Sequence, residues 1–265
     1  MTVLSCATSQ THARRRAQDL TFDRVGHNAN VTTIKALLFD VQGTATDFHT
    51  PVTAAARRIS AGRHPDTDWS AVVNDWRAAY FRLVDTTPVS RENWVSVHSI
   101  YRDSLDELLS DNRIGDVSAA ERDELTLAWQ QLIPWPDTVG GMTRLKQRYT
   151  LAALSNADVS AVINLSKLGG LPWDAVFSAE MFGAFKPDPI TYRTAAQYLG
   201  LDAEQIMMVA SHKYDIEAAA ALGFRTAFVA RPFEYGANGT ADVAYDNKFD
   251  LNAADFADLA TQLGC

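Results

Sequence analysis

Asp40 stands directly after a short apolar run, Ile34-Lys35-Ala36-Leu37-Leu38-Phe39, and before Val41-Gln42-Gly43-Thr44. A carboxylate at the end of a buried strand, with a hydroxyl four residues on and a glycine between them for a tight turn, is a candidate covalent nucleophile. Three later stretches place complementary groups after apolar runs. Ser155-Asn156 follows Leu151-Ala152-Ala153-Leu154, Lys186 lies shortly after Val176-Phe177-Ser178, and Asp215 follows Ile206-Met207-Met208-Val209. Singly, each has a plain structural reading: Asp or Ser-Asn after a strand usually caps a helix or turn, and Lys before Pro is usually solvated. Together they supply a nucleophile, hydroxyls, an ammonium and a second carboxylate. Asp40 must be ionised to attack, and the charge of Lys186 would keep its pKa low. Thr44 and Ser155 are expected to hold the carboxylate oxygens, and backbone N–H groups of the turn to receive an anionic substrate group. Asp215 is expected to orient Lys186 or to help activate a water.

These groups meet only if the runs that precede them are neighbouring strands. Beyond Pro134-Trp135-Pro136 the pattern alternates. Helical stretches from Val139 to Tyr149, Val159 to Lys167, Ile190 to Leu199 and Ile216 to Leu222 separate the strands, and Arg225 to Val229 is a last clear strand. Strands alternating with helices form a parallel sheet covered on both faces, with sites at the carboxyl ends of its strands. From about Pro51 to Ile133 the pattern is helical throughout, with Trp76, Tyr80, Leu83 and Val84, then Ile100, Leu105, Leu108 and Leu109, at helical spacing. The expected fold class is α/β: a doubly wound, Rossmann-like parallel sheet with an inserted all-helical cap. Residues 31–48 and 137–265 would form the core, 49–136 the cap over the strand ends, and 1–30 a polar N-terminal extension.

Composition is that of an ordinary globular protein, long enough for one large domain or a core plus an insert: of 265 residues, 47% are hydrophobic and 21% charged. The net charge of -8 argues against a nucleic-acid partner, which wants a basic face. No apolar run approaches the roughly 20 residues that span a bilayer. Arg14-Arg15-Arg16 lies in a polar N-terminus without an apolar stretch, unlike a secretory signal. The two cysteines, Cys6 and Cys265, read as reduced thiols, and the expected location is the cytoplasm, away from any membrane.

Asp40-Val41-Gln42-Gly43-Thr44, Leu154-Ser155-Asn156, Phe185-Lys186-Pro187-Asp188-Pro189 and Ser211-His212-Lys213-Tyr214-Asp215 resemble the four motifs of the haloacid dehalogenase superfamily, over about residues 34 to 236. That resemblance implies catalytic roles for Asp40, Thr44, Ser155, Lys186 and Asp215. The magnesium-dependent phosphatases of the superfamily usually carry an acid two residues after the nucleophile, where this chain has Gln42. They also place a metal-binding Asp where this chain has Ser211, followed by His212 and Lys213. No metal or other cofactor is therefore expected.

The L-2-haloacid dehalogenase branch fits better. It implies Arg77, in the cap, as the group that faces a departing halide, with Asn156 as a second halide contact. Val41, Gln42, Tyr192 and His212 complete the implied substrate-binding set. The expected substrate is a small L-2-substituted carboxylate, displaced at C2 by Asp40 and released by water. A homodimer through the cap is implied by the resemblance alone. Gln42 stands where dehalogenases usually carry an aromatic residue, and His212 where many carry Asn. A polar wall residue leaves open the same attack on L-azetidine-2-carboxylate, where the leaving atom is the ring nitrogen. Arg77 argues the other way, since a cation repels an ammonium.

Overall fold

A computed structural model of the chain describes residues 33–265. The N-terminal extension, Cys6 and the arginines at 14–16 lie outside the described residues. In chain order the elements are β1 (Ala36–Phe39), β2 (Thr46–Asp47), α1 (His49–Ser60), α2 (Trp69–Thr86), α3 (Val97–Asp111), α4 (Ala119–Leu127) and β3 (Ile133–Pro134). Then come α5 (Thr138–Leu145), β4 (Thr150–Ser155), α6 (Val159–Gly169), β5 (Ala175–Ser178), α7 (Ala179–Phe182), α8 (Pro189–Leu199) and β6 (Ile206–Ala210). The chain closes with α9 (Lys213–Ala220), β7 (Arg225–Val229), β8 (Leu251–Ala253) and α10 (Phe256–Gln262).

β1 is apolar at every position and wholly buried because it has a strand on each side and helices on each face. Six strands, all parallel, run in the order β5-β4-β1-β6-β7-β8. The order reverses at β1, whose neighbours are β4 and β6. A crevice opens at the carboxyl end of such a switch point, and Asp40 is the first residue past it. Alternation along the strands builds two cores. Leu37, Phe39, Leu151, Ala153, Met207 and Val209 pack toward α5, α6 and α10, and Ala36, Leu38, Ala152, Leu154 and Met208 pack toward α8 and α9.

Helix ends follow local chemistry. The Asp68 carboxylate caps α2 by accepting from the Ser70 and Ala71 amides, and Ser118 with Glu121 forms a capping box on α4. α8 starts with Asp188 as cap and Pro189 in its first turn, and stops at Gly200, whose φ is 66°.

The helical stretch expected over 51–133 resolves into four helices, α1 to α4, separated by loops. It ends at β3, which pairs antiparallel with β2 as the ribbon by which the chain leaves and rejoins the sheet. Two-residue strands are too short to show a period. β8 also escapes the sequence pattern, because Leu-Asn-Ala has little strand preference and gains its place by pairing with β7. α5 ends at Leu145 rather than Tyr149. α9 starts at Lys213, ahead of its first apolar residue, so Asp215 lies in its first turn.

Candidate active site

Asp40 is buried, and three side chains donate to its two oxygens. Lys186 Nζ reaches Oδ1 at 2.9 Å. Thr44 Oγ1 donates to Oδ2 at 2.6 Å, and His212 Nδ1 lies 3.0 Å from the same oxygen. Burial alone would raise the Asp40 carboxyl, but Lys186, His212 and Thr44 outweigh it and hold the group far below the usual carboxylate range. Thr44 is fixed in turn, its Oγ1 accepting from the Ser211 amide at 2.9 Å and sharing a hydrogen bond with Ser211 Oγ at 2.9 Å.

Behind Lys186 lies Asp215, fully buried at the start of α9. One of its oxygens takes a short bond from Lys186 Nζ, and the other accepts from Tyr192 OH at 2.5 Å. Burial would strip the Lys186 ammonium of its proton, but Asp215 and Asp40 on either side raise its pKa instead. The lysine is therefore a fixed cation. His212 is bracketed likewise: its Nε2 lies 2.8 Å from Glu234 Oε1. Burial would lower its pKa, while Glu234 and Asp40 push it up to about 10.

The wall opposite comes from α2. Arg77 is buried, and its Nη1 donates to Gln42 Oε1 at 3.1 Å and to Tyr101 OH at 2.7 Å. Its Nη2 donates to the Gln42 carbonyl at 3.3 Å, and its Nε has no hydrogen-bond partner. The guanidinium lies over the rings of Phe81, Tyr80 and Phe48, at 4.6, 4.8 and 5.2 Å. Among the described residues no carboxylate pairs with it; Glu234 acts on it only from a distance. Asp40, Gln42, Arg77, Tyr80, Phe81, Ser155, Asn156, Lys186, His212 and Tyr214 line a narrow chamber of about 10 Å³, room for roughly one water. A wider cavity of about 640 Å³ opens beside it and shares Phe81, Asn156, Lys186, His212 and Tyr214 as common walls.

Residues 34–223 match the model of the haloacid dehalogenase-like hydrolases. The chain belongs to that family. A crystallised L-2-haloacid dehalogenase is 35% identical, with a TM-score of 0.79 over 87% of this chain and 99% of the other. A defluorinating L-2-haloacid dehalogenase is 36% identical, with a TM-score of 0.81 over 88% and 96%. The (S)-2-haloacid dehalogenase 4A of Burkholderia cepacia is 26% identical over 222 residues, 77% of this chain and 88% of its own. This haloacid dehalogenase-like hydrolase is thus an enzyme of the L-2-haloacid dehalogenase branch, with the six-stranded parallel sheet of its relatives.

Several residues named from the sequence also make contacts that the sequence did not suggest, and Val41 and Tyr192 lie outside the chamber lining. Ser155 makes no bond to Asp40; its Oγ accepts from the Ala157 amide at 3.1 Å, closing the turn after β4, while the residue still lines the chamber. Asn156 uses both ends of its amide on the Lys186 backbone, accepting from N at 2.7 Å and donating to O at 3.2 Å. It therefore clamps the loop that carries the lysine. Tyr192 is fully buried in the core between sheet and α8, outside the chamber wall, and serves Asp215. Val41 packs its side chain into the core, and its carbonyl closes the turn by accepting from the Ala45 and Thr46 amides at 2.9 and 3.0 Å. Lys213, which follows Ser211 and His212 in the fourth motif, pairs with Asp242 at 2.8 Å on the side of the wider cavity rather than with Asp40. The fixed cations on Asp40 are Lys186 and His212.

Glu234, Tyr80, Phe81 and Tyr101 are the site residues that sequence reasoning missed. Tyr80 belongs to the apolar helical stripe and reads as core, and Phe81 and Tyr101 lie in the same helical stretch with no chemical signal of their own. Glu234 lies in the turn after β7, where an isolated glutamate reads as solvated, yet it is buried.

Proposed function

We propose that this hydrolase releases halide from small L-2-haloacids through a covalent ester on Asp40. The observation that carries the reading is Arg77. A buried guanidinium without a carboxylate partner is costly unless an anion completes it, and it faces the chamber that holds the nucleophile. A halide leaving C2 supplies that anion as the charge develops, so the cation binds the transition state more tightly than the neutral C–halogen bond.

Asp40 enters ionised and aimed by Lys186, with Asp215 and Tyr192 holding the lysine from behind. The backbone turn after β1 and the Ser155 hydroxyl receive the substrate carboxylate. α1 to α4 act as the cap that closes the chamber and excludes water from the displacement. The chamber admits little more than one water, so substrate must widen it, and the larger cavity beside it shares five of its walls. The narrow chamber also favours short acids. Gln42 gives its carbonyl to Arg77, so the acceptor that an azetidine ring nitrogen would use is already engaged.

The test is incubation with L- and D-2-chloropropionate and with L-azetidine-2-carboxylate. Chloride and D-lactate should appear from the L-haloacid alone, because displacement inverts C2. Turnover of the azetidine with no chloride from either chloropropionate would overturn the reading.

A further inference from the structure

We propose that His212 and Glu234 serve the second half-reaction, as the oxyanion donor for hydrolysis of the Asp40 ester and the residue that positions it. The inference rests on the covalent route above. Asp40 Oδ2 accepts from both Thr44 and His212, which occupies both its in-plane lone pairs, whereas Oδ1 accepts from Lys186 alone. Oδ1 is therefore the oxygen with a lone pair free to attack C2. Oδ2 then becomes the carbonyl oxygen of the ester.

His212 faces a carboxylate at each nitrogen, at 3.0 and 2.8 Å. Two acceptors at the two ends of one imidazole require a proton on each nitrogen, so the ring donates from Nδ1 to Asp40 and from Nε2 to Glu234. Once Asp40 is esterified, Glu234 remains as the anion that keeps the ring protonated. The pair packs closely against the nucleophile's own turn. Gly43 has a φ of +94°, and a Cβ there would lie 2.4 Å from Glu234 Oε1 and 3.2 Å from His212 Cε1. Arg231 ties the Glu234 turn to the same segment, donating Nε to the Thr44 carbonyl at 2.7 Å while Glu234 N–H donates to the Arg231 carbonyl at 3.1 Å.

Asp215 offers no equivalent service, because both its oxygens are held by Lys186 and Tyr192 and it lies outside the chamber wall. In the hydrolytic step water adds to Cγ of Asp40, and the carbonyl electron pair moves onto Oδ2. There it meets the N–H of His212 and the O–H of Thr44. Collapse restores the C=O bond and breaks the Oδ1–C2 linkage's acyl bond, Cγ–Oδ1. The departing alkoxide takes a proton from the added water, giving the 2-hydroxy acid, and the second water proton passes to solvent as the carboxylate re-forms. The oxygen lost from Asp40 with the product is replaced by that of water. Donors on Oδ2 stabilise this oxyanion relative to the neutral ester, but they stabilise the resting carboxylate before the first step too. Removing them slows the second step and spares the first.

The experiment is rapid quench of the full chain with L-2-chloropropionate, following chloride and, by mass spectrometry of the intact protein, the Asp40 ester. Glu234→Gln and His212→Phe are compared with wild type. Both variants should release about one equivalent of chloride in the first turnover, then turn over roughly tenfold and 10²–10³-fold more slowly, with the ester accumulating. Steady-state rates equal to wild type, or a first-turnover burst that falls in step with them and leaves no ester, would overturn the inference alone. A wild type that yields no chloride would overturn the covalent reading and the inference with it.

Discussion

Arg77 and Gln42 form one unit at the scale of single residues. Their hydrogen bonds hold the guanidinium over Phe81 and Tyr80 and beside the chamber. Gln42→Leu removes the side-chain acceptor and keeps the bulk. A hydrogen bond to a charged group is worth about 1.5–3 kcal/mol, so kcat/KM on 2-chloropropionate should fall roughly 10- to 100-fold with little change in fold. An unchanged rate would mean that Gln42 does not hold the arginine. That Asp40, Thr44, Lys186 and Asp215 would meet was legible in the sequence because they come after apolar runs that read as neighbouring strands and stand in the order of the family's motifs. What their neighbours do was not. Tyr192 sits in a helix and reaches Asp215 across the fold, and Glu234 is drawn in by His212 from 22 positions away; no periodicity reports such contacts.

Among the elements, α5 and α10 lie side by side against the sheet, and Gly141 permits it. A Cβ on Gly141 would come within 2.6 Å of the Phe256 backbone. Gly141→Ala should therefore cost roughly 1–3 kcal/mol and lower Tm by several degrees. Halide release per folded molecule should persist, because neither Gly141 nor Phe256 lines the chamber. A melting temperature equal to wild type would show that the two helices separate freely. Strands and helices of the sheet were legible because short apolar runs alternate with amphipathic stretches. β2, β3 and β8 were not, since each is two or three residues long and exists by pairing with a partner.

For the molecule as a whole, charge placement sets the pH range. Asp40 titrates far below the usual carboxylate range, so the stability its ionised form contributes is present above the ordinary value and lost only in strong acid. His212 is raised, so its contribution is complete below the ordinary histidine value and is lost as pH rises through about 10. Asp40, Glu234 and Tyr214 face that ring, with Lys186 across the Asp40 carboxylate. Turnover should hold level from mildly acid to mildly alkaline pH and decline near 10; a sharp loss between pH 6 and 7 would mean a neutral His212. The same two cations stand where a divalent ion would need oxygen ligands. Activity should survive exhaustive chelation, and a loss restored by Mg²⁺ would return the enzyme to the phosphatase branch. No helix among the described residues is long and apolar enough to cross a membrane.

Covalent attack by Asp40 is the claim on which the rest depends. A single turnover of L-2-chloropropionate by excess enzyme in ¹⁸O-water addresses it directly. Product oxygen should be unlabelled, because it comes from Asp40, and the peptide containing Asp40 should gain one ¹⁸O. Label in the first-turnover lactate, with none in that peptide, would mean that water attacks C2 directly and would contradict the account.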